Sequence, residues 1–361
     1  MSEEPATMTG RPRVGLRPAV WLAPGEDPFQ AQLGLTREAE RRGFDGVFFG
    51  DRLLASVAEG DRAIYSATHT DLMVTLTAMA AQTQRVALGS LVMVLPFRHP
   101  VPLAKAAASL DLLSHGRLIL GAGSGWNAAE FAALDVPRGE RAGRMEETVE
   151  LLRRLWTGER VTFRGRYFTL EDVAIAPTPP SPGPPIWLGS FLPARSELDT
   201  LPARLDRVVA RVGRLADGWV PVVYSQLTKR SVSPQVLGRV WERVKEHASA
   251  AGRPRGVELA FSHWFYVIDN AADQEAARAA LAAFFNGTFE QARETYLVGA
   301  PEEIADKVRR ILRDVRDDVS WMIFSTIHAD TRQLDLLCDK VLPLLGLELR
   351  PAAAQVSPPT P

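Results

Sequence analysis

Residues 85–131 constrain this chain more than any other stretch: RVALGSLVMVLPFRHPVPLAKAAASLDLLSHGRLILGAGSGWNAAEF. Val86, Leu88, Leu91, Val92, Met93 and Val94 make a nearly unbroken apolar run, the pattern of a strand buried on both faces. Pro96 and Pro100 interrupt it, and Leu103, Ala104, Ala107, Leu110 and Leu113 then recur at helical spacing. A turn at 114–116 leads into a second short apolar strand at 117–121. Strand, crossover helix and strand in this order demand a parallel sheet with a right-handed connection. The second strand opens into Gly121-Ala122-Gly123-Ser124-Gly125-Trp126. Glycine at alternate positions lets the main chain approach a bulky planar or phosphorylated ligand.

The same alternation runs through the rest of the chain. Apolar patterning predicts strands at 13–22, 44–50, 85–94, 117–121, 186–189, 218–223, 257–268 and 320–327. Helical periodicity predicts helices at 28–42, 71–83, 101–113, 141–156, 201–214, 234–250, 271–285, 301–313 and 331–345. Eight such alternations are what a (β/α)8 TIM barrel requires. An open doubly wound sheet carries its glycine turn after the first strand, whereas here the turn follows the fourth. Residues 161–175 (VTFRGRYFTLEDVAI) read as a β-hairpin turning at 164–166, and the prolines of 177–185 as an extended linker. The expected organisation is a flexible N-terminus (1–12), one barrel domain (13–346) with an insertion at about 157–185, and a disordered proline-rich tail (347–361).

Composition removes several function classes. The 361 residues are 46% apolar with a formal net charge of −1, so a large core is available but no basic field to draw in nucleic acid or an anionic membrane. The single cysteine, Cys338, excludes an internal disulfide and a cysteine-based metal site, and no metal is expected. No apolar run approaches the roughly 20 residues that span a bilayer, and the first residues lack the apolar core of a signal peptide. A cytoplasmic location is the expectation.

In a barrel of this kind the active site lies where strands end. That rule selects Asp51 and Arg52 after the second strand, residues 91–96 at the third, and Gly123, Ser124, Gly125 and Trp126 at the fourth. Residues 189–195 follow the fifth strand and 217–220 lie around the sixth. His263 and Trp264 are near the seventh, and 325–328 close the eighth.

The central segment resembles the luciferase-like family of flavin and deazaflavin oxidoreductases. The residues that carry the resemblance are Leu88-Gly89-Ser90, Pro96, Arg98, Pro100, Leu110-Asp111, Leu113-Ser114, Gly116-Arg117, Leu120-Gly121, Gly123, Gly125-Trp126 and Glu130-Phe131. It continues at Trp156-Thr157-Gly158, at 184–189 (PPIWLG) and at 216–219 (ADGW), covering most of the chain. The resemblance implies a bacterial luciferase-like TIM barrel with insertions. It implies a bulge at the end of the third strand, with a non-proline cis peptide at Leu91-Val92 behind the cofactor ring. It also implies a phosphate grip at Gly189-Ser190-Phe191, with Ser124-Gly125 nearby, and brings Asp51 and Ser90 into the cofactor-binding set.

One position departs from the family pattern. Many members carry a histidine after the acidic residue that ends the second strand, and here that position is Arg52. An arginine stays protonated, so it binds an anionic oxygen or pairs with Asp51 but does not shuttle protons. His69, His263 and His328 remain as candidates for acid–base work, each weighed against an ordinary structural role.

The resemblance implies an enzyme moving hydride between coenzyme F420 and a small organic substrate. Its alternatives are an FMN-dependent monooxygenase fed with reduced flavin by a separate reductase, and a non-catalytic flavin-binding barrel. A homodimer through helices on one side of the barrel is a further expectation from the family.

Overall fold

The computed structural model describes residues 11–18, 27–54, 69–180, 182–192, 202–225, 229–253, 256–285 and 287–350. Residues 1–10, 55–68, Arg195 and residues 351–361 lie outside the described residues. Eight strands form the barrel: β1 (Arg13–Arg17), β2 (Gly46–Phe49), β3 (Ala87–Ser90), β4 (Leu118–Gly123), β5 (Ile186–Phe191), β6 (Gly218–Val222), β7 (Glu258–Val267) and β8 (Val319–Thr326). They pair in parallel in chain order; β8 pairs with β1, and β7 pairs with both β6 and β8, which closes the cylinder. The sequence expectation of a (β/α)8 barrel therefore holds.

Helices α1 (Pro28–Arg42), α2 (Leu72–Gln82), α3 (Pro100–Leu113), α4 (Ala128–Ala133), α5 (Arg141–Trp156), α6 (Ala203–Leu215), α7 (Pro234–Ala250), α8 (Ala271–Phe284), α9 (Phe289–Thr295), α10 (Pro301–Leu312) and α11 (Thr331–Leu336) follow the strands. Local chemistry fixes the ends of α1: the Asp27 carboxylate accepts from Phe29 N and Gln30 N, Pro28 opens the helix, and Gly43 closes it at φ 91°. The predicted final helix is shorter than its periodicity suggests. After α11 the chain runs through a π-turn (Leu337–Val341) and a 3-10 turn (Pro343–Leu345), where proline withholds an N–H from the ladder. Past residue 346, Leu347 is buried and Arg350 N donates to Gly43 O.

The hairpin at 161–175 is present as Val161–Arg164 paired with Thr169–Val173. Its turn is wider than expected, because the Glu147 carboxylate accepts from Arg166 N, Tyr167 N and Phe168 N and holds them in an open loop. Two apolar layers result from strand alternation. The larger lies between the outer strand faces and the helices, and the smaller fills the barrel lumen with Phe48, Leu91, Ile119, Trp187, Val220, Ala260, Trp321 and Ile323.

The lower lumen is an aromatic floor. Phe48 stacks on Trp187 at 5.7 Å, and Trp321 meets both edge-on at 5.4 and 5.6 Å. Glycine at inward positions makes the room: a Cβ on Gly89 would enter the Phe48 ring and one on Gly218 the Trp187 ring. Among the described residues no helix is long and apolar enough to cross a membrane.

Candidate active site

Above the floor the strand ends carry little side-chain bulk. The chain turns inward after β3 through a cis Leu91-Val92 peptide, as the family resemblance implied, and Met93–Val94 then resumes pairing with β4. Val92 lies over the adjacent glycines. A Cβ on Gly123 would stand 2.7 Å from Val92 Cγ2, and one on Gly189 2.9 Å from Val92 Cγ1. A Cβ on Gly121 would overlap the Ser90 carbonyl, and Ser90 Oγ donates to Gly121 O at 2.7 Å. The alternate glycines thus serve a different immediate purpose from the ligand approach expected of them. They seat the bulge, and the half-buried valine becomes the apolar surface at the mouth.

Beyond Gly123, Ser124, Gly125 and Trp126 are all half-buried. Gly125 has φ +72°, and a Cβ there would also press on Val94 and Phe131, so the turn admits glycine for two reasons. Gly189 and Ser190 end β5, with Ser190 Oγ accepting from Trp219 Nε1 at 2.8 Å. Phe191 is the last residue of that strand.

The two residues after β2 separate. Asp51 does not pair with Arg52. Its carboxylate takes both guanidinium nitrogens of Arg98 at 2.5 and 2.9 Å and accepts from Val94 N, which ties the β2 end to the segment after the bulge. Asp51 is therefore a brace for the bulge. Arg52 is buried, with Nε donating to Leu54 O at 3.2 Å and lying 3.4 Å from Glu130 Oε1; its guanidinium sits 5.4 Å from the Trp126 ring centre. The same Glu130 oxygen accepts from Leu53 N and Leu54 N. Glu130 is the hub of this corner, reached across a separation of 77 residues.

The histidines divide. His69 lines a small cavity with Gln32, Phe49, Gly50, Thr70 and Thr75, next to the end of β2. His328 is half-buried just past β8. His263 does not belong with them. Alternation along β7 turns it away from the lumen, where it lies among Tyr224, Phe261 and Tyr296 with Nδ1 3.1 Å from Trp264 O. Burial holds its pKa down to about 3, so it is a neutral wall residue and leaves the set of acid–base candidates.

The sequence reading also missed Arg17. This last residue of β1 faces inward over the Trp264 ring at 4.9 Å, and a Cβ on Gly50 would stand 2.7 Å from its Nη2. Odd-numbered alternation along β1, placing Gly15 over Phe48, was the available signal.

The chain is similar to known proteins in sequence and in fold. An F420-dependent glucose-6-phosphate dehydrogenase of Nakamurella multipartita is 37% identical over 190 residues, covering 50% of this chain and 49% of that protein. One from Intrasporangium calvum is 39% identical over 155 residues, covering 41% and 45% respectively. The chain spans about half the length of the curated relatives it matches. Among solved structures, a monooxygenase from Streptomyces bottropensis superposes with a TM-score of 0.72 at 25% identity, covering 92% of this chain and 99% of that one. An F420-dependent secondary alcohol dehydrogenase in complex with an F420–acetone adduct shares the fold at a TM-score of 0.70 and 18% identity, covering 93% and 99%. The family match runs from residue 14 to 295, through the bulge, the glycine turn and the end of β5, and on that match the chain belongs to the luciferase-like monooxygenase family.

Proposed function

We propose that this chain is an oxidoreductase that holds coenzyme F420 at the C-terminal mouth of its barrel and moves a hydride between it and a small organic substrate. The observation that carries the proposal is the 37% identity over 190 residues with an F420-dependent dehydrogenase, which a second such relative repeats at 33% over 185. The residues at the mouth fit the group. A flat apolar ring system needs a flat apolar support, and the half-buried Val92 side chain on its bed of glycines offers one. Leu91 and Val92 would back the ring system, with Gly123, Ser124, Gly125 and Trp126 beside it, and the β5 end, 189–191, would hold the phosphate. When bound, F420 supplies the hydride donor or acceptor at its C5.

The protein's own part is orientation, charge and exclusion of water. The buried rings of Phe48, Trp187 and Trp321 fill the lumen beneath the mouth. Arg52 offers its guanidinium to an anionic edge of ligand, in a place fixed by Glu130 and Trp126. The proton, where one moves, falls to His69 or His328. The substrate is a small organic molecule of the general class for which the relatives are named, glucose 6-phosphate among them.

A second reading, an FMN-dependent monooxygenase supplied with reduced flavin by a separate reductase, is favoured by the 25% identity over 92% of the chain with the Streptomyces monooxygenase. Titrating the apoprotein with F420 and with FMN, followed by fluorescence quenching, separates the two. Micromolar binding of F420 with weaker FMN is expected. FMN binding alone would reverse the order, and binding of neither would leave a barrel without this cofactor chemistry.

A further inference from the structure

We propose that Trp219 orients the hydroxyl of Ser190, and in doing so makes the end of β5 selective for phosphorylated chromophores over their dephosphorylated forms. The proposal rests on Ser190 meeting the cofactor phosphate, as proposed above, and adds the residue that makes it a good donor there.

Trp219 is fully buried on β6, with Leu188 of β5 as its register partner. Its indole nitrogen has a proton to give and no lone pair to offer, so in the 2.8 Å contact with Ser190 Oγ the serine must accept. Among the described residues this is the only hydrogen bond the Ser190 hydroxyl makes, and none of them accepts its proton. A serine hydroxyl normally rotates freely to suit its surroundings. Here one oxygen lone pair is taken, so the proton is confined to the remaining directions. Accepting from the indole also polarises the O–H bond and strengthens it as a donor. Such a hydroxyl suits an anionic oxygen.

The indole cannot swing away to release the serine. It stacks on Trp241 at 5.9 Å and 6° between planes, and Trp241 Nε1 donates to Asp318 Oδ2 at 2.6 Å. Lys245 Nζ donates to the same Asp318 oxygen at 3.0 Å, fixing the far end of the line. Ser190 itself is half-buried at the end of β5. Trp219 acts through Ser190 and is a positioning residue.

The test is the ratio of dissociation constants for riboflavin and FMN, which differ only in the phosphate. The same ratio is measured for the deazaflavin riboside and F420. The wild type is expected to prefer the phosphorylated member of each pair at least about tenfold. Trp219→Phe keeps the stack on Trp241 and removes the N–H. It should lower that ratio about three- to tenfold while leaving the affinity for the dephosphorylated member within about twofold. Ser190→Ala should lower the ratio as much, and the double variant no further, since both act on one contact.

An unchanged ratio in Trp219→Phe alongside a lowered one in Ser190→Ala would overturn the role of the indole while leaving the phosphate contact standing. An unchanged ratio in Ser190→Ala would remove the phosphate contact and the proposal with it. Failure of the wild type to bind either pair would instead remove the proposed cofactor chemistry. Should Trp219→Phe not fold, the wild-type indole N–H resonance serves, identified as the one that shifts in Ser190→Thr. It should move on adding FMN or F420 and stay in place with riboflavin or the riboside; equal movement with both would count against the proposal.

Discussion

The two halves of the barrel lumen use glycine to opposite ends. Below, Gly89 and Gly218 are bare so that Phe48 and Trp187 can fill the axis. Above, Gly123 and Gly189 are bare so that Val92 of the bulge after β3 can lie flat at the mouth. The lower half buries large aromatic side chains and so contributes stability; the upper half buries little and presents surface. Stability and recognition are thereby divided along a single axis, and a substitution should report which half it touches.

The largest expected effect is in the floor. Trp187→Ala removes a fully buried indole from the stack and should lower unfolding free energy by about 3–5 kcal/mol in denaturant titration. The folded fraction should bind cofactor as the wild type does, and a large affinity change would erase the division. Arg52→Ala is next and cuts across it. Arg52 is a mouth residue, yet its loss leaves the Glu130 carboxylate buried without its cation, at a cost of about 3 kcal/mol. Recovery of most of that stability in Arg52→Ala/Glu130→Gln would assign the cost to the stranded charge.

Ser190→Asp places a carboxylate where the phosphate is proposed to sit and should weaken cofactor binding at least about tenfold, with the melting temperature nearly constant. Unchanged affinity would move the phosphate elsewhere. Val92→Ala removes apolar surface from the mouth and should weaken binding about five- to tenfold. A loss confined to stability would reassign Val92 to the floor's kind of work.

The smallest effect near neutrality comes from the outer wall. His263 is held neutral with its pKa near 3, while an unfolded histidine titrates near 6.5. Below pH 6.5 the unfolded chain therefore binds a proton that the folded chain refuses. The stability present above that pH is lost as pH falls toward 3, by about 1 kcal/mol at pH 6 and about 1.4 kcal/mol per unit below. His263→Phe should flatten this slope; an identical slope would place the titrating group elsewhere.

What could be read from the sequence follows from range. The strands announced themselves because both faces are apolar, and α1, α5 and α7 begin and end where their periodicity puts them. Phe289–Thr295 and Leu297–Gly299 passed unnoticed because elements of seven and three residues carry too few periods to register. In the site, the positions of the glycine turn and the β5 end were legible, but the partners were not. Arg98 reaches Asp51 across 47 residues and Glu130 reaches Leu53 across 77, and no local pattern encodes such pairs. His263 misled because a motif-free histidine near a strand end looks the same whichever face of the strand it takes.

The interlocked rings of Phe48, Trp187 and Trp321 carry one more implication. Among the described residues these rings fill the axis from below, so molecules that share the mouth would lie one above another along it. Whichever molecule settles deeper has to enter before its companion and depart after it, so the order of arrival is dictated by depth rather than by relative affinity.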